Sequence, residues 1–252
     1  MLTQQRKQHL LDRLHRDRRI VAKEAAAELD VSEDTVRRDL RELAREGLLQ
    51  RVHGGALPAS RATQSLQARQ EISMPEKAAI GRTAAAMIRS GQVIFLDGGT
   101  TSMQLARNLD PDLKATIITH SPSVAVELIN HSVDVHIIGG RLFKHSMVTV
   151  GASAVESIRS IRADVYFMGV AAIHPEVGLS TGDSEEASIK RALIEAAADV
   201  IVLASPEKLG AVSPFVIAPM TSVTTLVTSE EIPATDLQPY EALGVGIVRA
   251  RN

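Results

Sequence analysis

The chain reads as an α/β protein in which a small N-terminal winged helix-turn-helix is joined to a larger domain with a mainly parallel sheet. Three observations point there. Amphipathic segments around residues 4–14 and 23–29 lead, through the tight connection Asp30-Val31-Ser32, into a third helix that is basic on its solvent side. Two short apolar runs around His53-Gly54-Gly55 follow, the pattern of a hairpin. From Pro75 onward short apolar runs alternate with helical ones, as in a parallel sheet covered on both faces.

The first helix is marked by Leu10, Leu11 and Leu14, with Gln4, Gln5 and Arg6 near its start. The second, about Lys23 to Leu29, turns Ala25, Ala26 and Leu29 inward. The third opens at Ser32, whose hydroxyl can cap a first-turn N–H. Glu33 and Asp34 then place negative charge at the positive end of the helix dipole. Val31 and Val36 form a hydrophobic staple, and Val36, Leu40 and Leu43 make one apolar stripe. Gly47 is a helix stop. Arg37, Arg38, Arg41 and Arg45 lie off the stripe. Alone they would read as a solvated face with i,i+4 partners, such as Arg38 with Glu42. Helix, short turn and basic helix together form the arrangement whose second member enters the major groove of DNA. The hairpin behind it, Leu48–Val52 and Ala56–Leu57, then makes a wing, with Arg51 and His53 placed to touch backbone or minor groove.

Composition narrows the classes. At 252 residues the chain has room for a second domain of ordinary size. The formal charge is −2, yet residues 1–57 are net basic and the remainder net acidic, so positive charge sits with the reading head. Cysteine is absent, which removes disulfides and thiolate metal sites. Aromatic residues are only 2%, too few for a base-stacking platform on single strands. The N-terminus is polar from Thr3, unlike a secretory signal, and no apolar run approaches the ~18 residues of a membrane span. A cytoplasmic protein with no membrane partner is expected.

The expected division is a DNA-binding domain over 1–57, a linker over 58–73 rich in Ser, Ala, Gln and Arg, and an α/β domain over 74–252. In the last, strands are expected at Gln92–Asp97, Thr116–Thr119, Val133–Ile138, Val165–Val170, Val200–Ala204 and Val223–Thr228. Helices are expected at Pro75–Arg89, Thr101–Leu109, Ser121–Ile129, Ala152–Ile161 and Ser184–Ala198.

Ligands of such folds bind beyond the C-terminal strand ends. Asp97-Gly98-Gly99-Thr100-Thr101 joins a strand to a helix. Its glycines let backbone N–H groups converge, its threonines add hydroxyls, and the helix N-terminus favours an anion such as phosphate. The plain alternative is a tight turn with a threonine cap. Gly139-Gly140-Arg141, with Lys144 nearby, ends another strand, where Arg141 pairs with phosphate or is a solvated surface residue. Glu186, in Asp183-Ser184-Glu185-Glu186-Ala187, accepts sugar hydroxyls or only complements a helix dipole. Lys208 ends the loop Ser205-Pro206-Glu207-Lys208 after a buried strand.

These pieces resemble one family. Ser32-x-x-Thr35-Val36-Arg37-Arg38-Asp39-Leu40 and Arg51-Val52-His53-Gly54-Gly55-Ala56 are similar to the DeoR family of bacterial transcription regulators. Asp97-x-Gly99-Thr100-Thr101, Gly139-Gly140, Glu186-Ala187 and Lys208-x-Gly210 resemble its sensor domain, so the likeness spans nearly the whole chain. It implies DNA-reading roles for Thr35, Arg37 and Arg38, with Asp39 structural because an acid facing phosphates is repelled. It also implies a sensor similar in fold to sugar-phosphate isomerases, a phosphorylated sugar effector, double-stranded operator DNA as partner, and a homodimer or homotetramer. Effector contacts would fall on Asp97, Gly98, Gly99, Thr100, Thr101, His120, Gly140, Arg141, Glu186 and Lys208. Two positions depart from the pattern: Ser205 where Asp is common and His120 where Asn is common. No Walker A, GxGxxG or GxSxG sequence occurs, and Gly151-Ala152-Ser153-Ala154 lacks the second glycine. The histidines show no metal spacing. Two rival readings stand beside the regulator: a residual isomerase using Asp97, Glu186 and Lys208 as an acid–base set, which gives a DNA head no purpose, and an effector-independent DNA-binding protein, which would respond to no small molecule. No enzyme activity, catalytic residue, metal or cofactor is expected.

Overall fold

The structure is a computed structural model describing residues 2–60 and 64–251. The head opens with α1 (Thr3–Asp17), β1 (Ile20–Val21), α2 (Ala22–Leu29) and α3 (Glu33–Arg45), followed by β2 (Leu49–Val52) and β3 (Gly55–Pro58). Ser32 caps α3 through Thr35 N at 3.2 Å, a contact worth about 1 kcal/mol in such helices. One stripe of α3, Val36, Asp39, Leu40 and Leu43, is buried. Its apolar members meet Leu10, Leu14, Ala25, Ala26 and Leu49 in a core belonging to the head alone. The polar member, Asp39, is fully buried and takes two bonds from Arg6 of α1, one of them at 3.1 Å. That pairing removes Asp39 from the solvent side of α3 and ties α3 to α1. Gly47, at φ +74°, turns the chain out of α3. The strands form an antiparallel sheet in the order β1-β3-β2. β1 is a finding of the structure: two residues between helices carry no periodic signal.

Beyond the head come α4 (Leu66–Arg69), α5 (Met74–Ala85), β4 (Val93–Leu96), α6 (Thr100–Arg107), β5 (Thr116–Thr119), α7 (Pro122–Glu127) and β6 (Asp134–Ile137). The hairpin β7 (Arg141–Phe143) and β8 (Val148–Val150) leads to α8 (Ala152–Arg159) and β9 (Ala163–Gly169). Then follow β10 (Ala172–His174), β11 (Gly178–Thr181), α9 (Ser184–Glu195), β12 (Ala197–Leu203), β13 (Phe215–Ala218), β14 (Thr225–Ser229), α10 (Ala234–Glu241) and β15 (Gly246–Ala250). Seven strands make one parallel sheet in the order β15-β14-β12-β9-β4-β5-β6. Apolar residues on its two faces enter separate cores, one around Tyr166 and Leu226, the other around Ile80, Ile94 and Phe167. Gly81 lets α5 close on α6, since a Cβ there would lie 2.6 Å from Gln104 Cβ. No helix among the described residues is long and apolar enough to cross a membrane.

The strand order fixes where a ligand can sit. From β4 the sheet grows outward through β5 and β6, whereas β9, β12, β14 and β15 extend it on the other side. The order therefore reverses between β4 and β9, and a crevice opens at the carboxyl ends of those strands. The head docks on the same end. Val212 N donates to Pro58 O at 3.1 Å and Ser60 N to Val212 O at 3.2 Å, continuing β3 as a short bridge onto the sensor domain. The segment between the domains also packs there: Leu66 is buried and its N–H donates to His145 O at 2.8 Å.

Candidate functional site

A cavity of ≈ 490 Å³ occupies the crevice. Its floor is the end of β4, where Asp97 is 1% exposed. Both carboxylate oxygens are saturated. Oδ1 accepts from Gly98 N at 2.8 Å and His120 Nε2 at 2.9 Å. Oδ2 accepts from Tyr166 Oη and Gly169 N, each at 2.9 Å, and from Lys190 Nζ. Burial alone would push this carboxyl up, but the charge of Lys190 and the His120 contact outweigh it and hold it well below the usual carboxylate range. Asp97 thus binds the ends of β4, β5 and β9 to α9 and has no acceptor capacity left for a ligand. It is a poor general base, which removes the acid–base set of the isomerase reading.

Above it the Gly98-Gly99 loop leads into α6. Gly99 sits at φ +120° and Gly98 is pressed against the β7–β8 hairpin, where a Cβ would lie 2.3 Å from Val148 Cγ1. Thr100, Thr101 and Ser102 form the first turn of α6, and all three line the cavity. Thr101 and Ser102 are 2% and 1% exposed, and neither hydroxyl has a hydrogen-bond partner among the described residues. The first N–H returned to the helix is that of Met103, to Gly99 O at 3.0 Å. The start of α6 therefore directs a positive dipole at this space, the arrangement that holds an oxyanion, with the Thr101 and Ser102 hydroxyls closed off just behind it.

Cations ring that space. Lys190 is spent on Asp97 and on Gly169 O at 2.8 Å. Lys77 donates to Arg69 O at 2.8 Å, and Arg69 Nη2 to Ser146 Oγ at 3.3 Å. Lys208, on the helical turn Pro206–Lys208, has no ion pair among the described residues. Burial pushes its amine down to about 7, Glu207 opposes the shift, and the charges of Lys77, Arg69 and Lys190 add to it. Burial likewise lowers Lys77 and Arg69. Of these four cations at close quarters, Lys77, Arg69 and Lys208 have no carboxylate ion pair among the described residues, so an incoming anion would stabilise them. On the acidic side Glu186 accepts from Thr181 Oγ1 at 3.2 Å. Asp183 caps α9 through Glu185 N at 2.9 Å and Glu186 N at 3.0 Å. These carboxylates can accept hydroxyls. Among the described residues no group of His, Asp and Glu side chains could hold a metal ion.

Of the residues singled out from sequence, Asp97, Gly98, Gly99, Thr100, Thr101, Glu186 and Lys208 line this cavity. His120 lies behind it, its ring turned to Asp97. Gly140 and Arg141 stand outside the lining. Gly140, at φ +149°, is needed where a Cβ would meet Val150 O at 2.8 Å, and Arg141 Nη2 pairs with Glu185. Lys190 is an addition, and its spacing could have revealed it: Glu186 and Lys190 are i,i+4 on one helix face. Arg69, Lys77 and Ser102 are also additions. Arg69 comes from a segment whose composition reads only as connecting chain.

On the head, Thr35, Arg37, Arg38 and Arg41 lie along one side of α3. Arg37 Nη2 donates to Glu33 at 2.7 Å, while Arg38 is exposed with no side-chain partner among the described residues. A groove of ≈ 170 Å³ between α3 and the wing is lined by Arg37, Arg51 and His53, so helix and wing form one cationic face.

Comparison with known proteins gives the following. Residues 6–62 match the family model "DeoR-like helix-turn-helix domain", and residues 72–230 match "DeoR C terminal sensor domain". The chain is 34% identical to the HTH-type transcriptional regulator GlpR of Haloferax volcanii, covering 87% of each. It is 36% identical to the HTH-type transcriptional repressor CsqR of Escherichia coli, over 84% of this chain and 82% of that one. It is 32% identical to the repressor GlcR of Bacillus subtilis, over 90% and 89%. These relatives are named as regulators or repressors, not enzymes. Among solved structures, the sorbitol operon regulator SorC of Klebsiella pneumoniae aligns with TM-score 0.46 at 13% identity, covering 91% of this chain and 96% of that one. Ribose 5-phosphate isomerase A of Methanocaldococcus jannaschii aligns with TM-score 0.39 at 16% identity, over 52% of each chain. Likeness that loose carries no argument about activity.

Proposed function

The chain belongs to the DeoR family of transcription regulators, and from that premise we propose that it represses a carbohydrate-metabolism operon until a phosphorylated sugar occupies the cavity at the β4–β9 crevice. The observation that carries the reading is the start of α6, whose positive dipole opens on the same cavity as the buried amine of Lys208 and the cations Lys77 and Arg69. A phosphate there meets the dipole and the amine together, and rotation of the Thr101 and Ser102 side chains brings their hydroxyls to it. Glu186 and Asp183 then accept the hydroxyls of the sugar. The protein acts in the cytoplasm as a homodimer or homotetramer. Two heads on such an assembly grip operator half-sites about 34 Å apart, or a multiple of that.

Thermal unfolding in the presence of sugar phosphates tests the effector reading. A ligand at 100 times its dissociation constant adds about 2.7 kcal/mol to stability, a shift of several degrees. Sugar phosphates that stabilise, beside unphosphorylated sugars that do not, are the expected result. Stabilisation by neither class, or equally by both, would overturn it.

A further inference from the structure

The cavity is not enclosed by the sensor domain alone. Ala44 in the last turn of α3, Gly47 just behind it, and Leu49 and Gln50 of β2 line the same space as Thr101, Lys190 and Lys208. Leu49 is committed to the head core and Ala44 packs against that core. Strand alternation turns Gln50 away from the side on which Leu49 enters it. Gln50 is half-buried and is the one polar side chain that the head contributes among the described lining residues. Its amide has no hydrogen-bond partner among the described residues.

The volume bears on what this means. A cavity of ≈ 490 Å³ falls within the roughly 300–1,000 Å³ typical of sites for drug-sized molecules, so an anion at the start of α6 leaves most of it unfilled. An amide offers both a donor and an acceptor, the complement a hydroxyl requires. We propose that the cavity is a composite site, in which the sensor domain holds the phosphate of a phosphorylated polyhydroxy ligand and Gln50 of the DNA-binding head hydrogen-bonds its hydroxyl end. The proposal rests on the phosphate reading of the α6 pole. It makes Gln50 a specificity-determining residue supplied by the output domain. Ser32 caps one end of α3, Arg38 lies at its middle and the ligand touches the other end, so the ligand reaches the reading helix without an intermediary.

The test is thermal unfolding of the full-length chain with inorganic phosphate alone, and with an equimolar pool of triose, pentose and hexose monophosphates. Wild type, Gln50→Ala and Gln50→Asn are compared. Phosphate alone should stabilise all three alike, and the pool should stabilise wild type further. In Gln50→Ala the apparent affinity for the pool should fall roughly two- to tenfold, the span of one lost hydrogen bond, with affinity for inorganic phosphate unchanged. Gln50→Asn, which keeps the amide, should recover part of the loss and serves as the deciding variant should the alanine form not fold. An undiminished pool effect in Gln50→Ala overturns the composite site. So does a pool that adds nothing to phosphate in wild type, which leaves the α6 pole standing. If neither probe stabilises wild type, the phosphate reading fails and takes the composite site with it.

Discussion

Arg18 of the head donates from Nη2 to the main-chain carbonyl of Leu209, at 2.7 Å, one residue beyond the buried amine of Lys208. Arg18 ends α1 in the left-handed conformation, φ 58°, which is uncommon for a non-glycine residue. The Leu209 loop is itself anchored, with Gly210 N bonded to Ile173 O at 2.8 Å and to Tyr240 Oη at 3.2 Å. A short path through one hydrogen bond therefore joins the cavity to the head.

From that path follows the first prediction. Arg18→Ala should leave the sensor folded and still able to bind ligand, but should weaken the effect of ligand on DNA. Residues along such a route change coupling by about 0.5–2 kcal/mol. Operator affinity measured with and without the stabilising sugar phosphate checks this. An unchanged ratio of the two affinities would remove Arg18 from the route.

The second contrasts two charged residues of α3. Asp39 is fully buried against Arg6, so Asp39→Ala strands a buried guanidinium and should cost about 3–5 kcal/mol of head stability. Arg38 is exposed and makes no side-chain hydrogen bond or close ion pair among the described residues, so Arg38→Ala should alter stability by less than about 0.5 kcal/mol. It should instead weaken operator binding by about 1–3 kcal/mol if it reads a base. Urea unfolding and DNA titration separate the two. An operator affinity unaffected by Arg38→Ala would contradict the groove assignment.

The third concerns hydroxyls that the protein leaves unused. Thr101→Val with Ser102→Ala removes two buried polar groups that have no partner among the described residues, so stability of the unliganded protein should hold or rise. Phosphate binding should be lost and operator binding retained. A double variant that still responds to ligand would place the phosphate elsewhere.

The fourth is a pH dependence set by Lys208. In the folded protein its amine is pushed down to about 7, whereas unfolded it holds its proton to about pH 10.4. Between those values the unfolded chain binds more protons, so stability rises with pH across the window. Lys208→Met should lack that rise. Ligand binding runs the other way. A phosphate dianion needs the charged amine, so affinity should fall above pH 7, and it should fall again below about pH 6 as the phosphate takes its own proton. Unfolding and binding measured from pH 5.5 to 9 read both. A flat binding profile would contradict the role given to Lys208.

Much of this was legible in the residues because it is local. Ser32, the Val36-Leu40-Leu43 stripe and Gly47 define α3 within one stretch of chain, and Asp97-Gly98-Gly99-Thr100-Thr101 declares a strand, a turn and a helix start. What was not legible depends on distant partners. Asp97 looks like a ligand contact in sequence, and only the convergence of His120, Tyr166 and Lys190 reveals an acid already saturated. Gly140 and Arg141 resemble a phosphate loop, yet the first serves a close approach to Val150 and the second pairs with Glu185. Arg69 carries no signal at all, because its place in the cavity comes from how residues 64–73 pack on the sensor. The hairpin β7–β8 escaped for another reason: three-residue strands are too short to show a period of two.

The most direct measurement is the affinity of the full-length protein for DNA from upstream of its own gene, by fluorescence anisotropy, titrated with the sugar phosphate that stabilises it most. The account predicts that ligand weakens binding by about 5- to 150-fold, a coupling of roughly 1–3 kcal/mol. The Thr101→Val/Ser102→Ala variant should bind the same DNA with or without ligand. Wild-type affinity that does not change at saturating ligand would contradict the account.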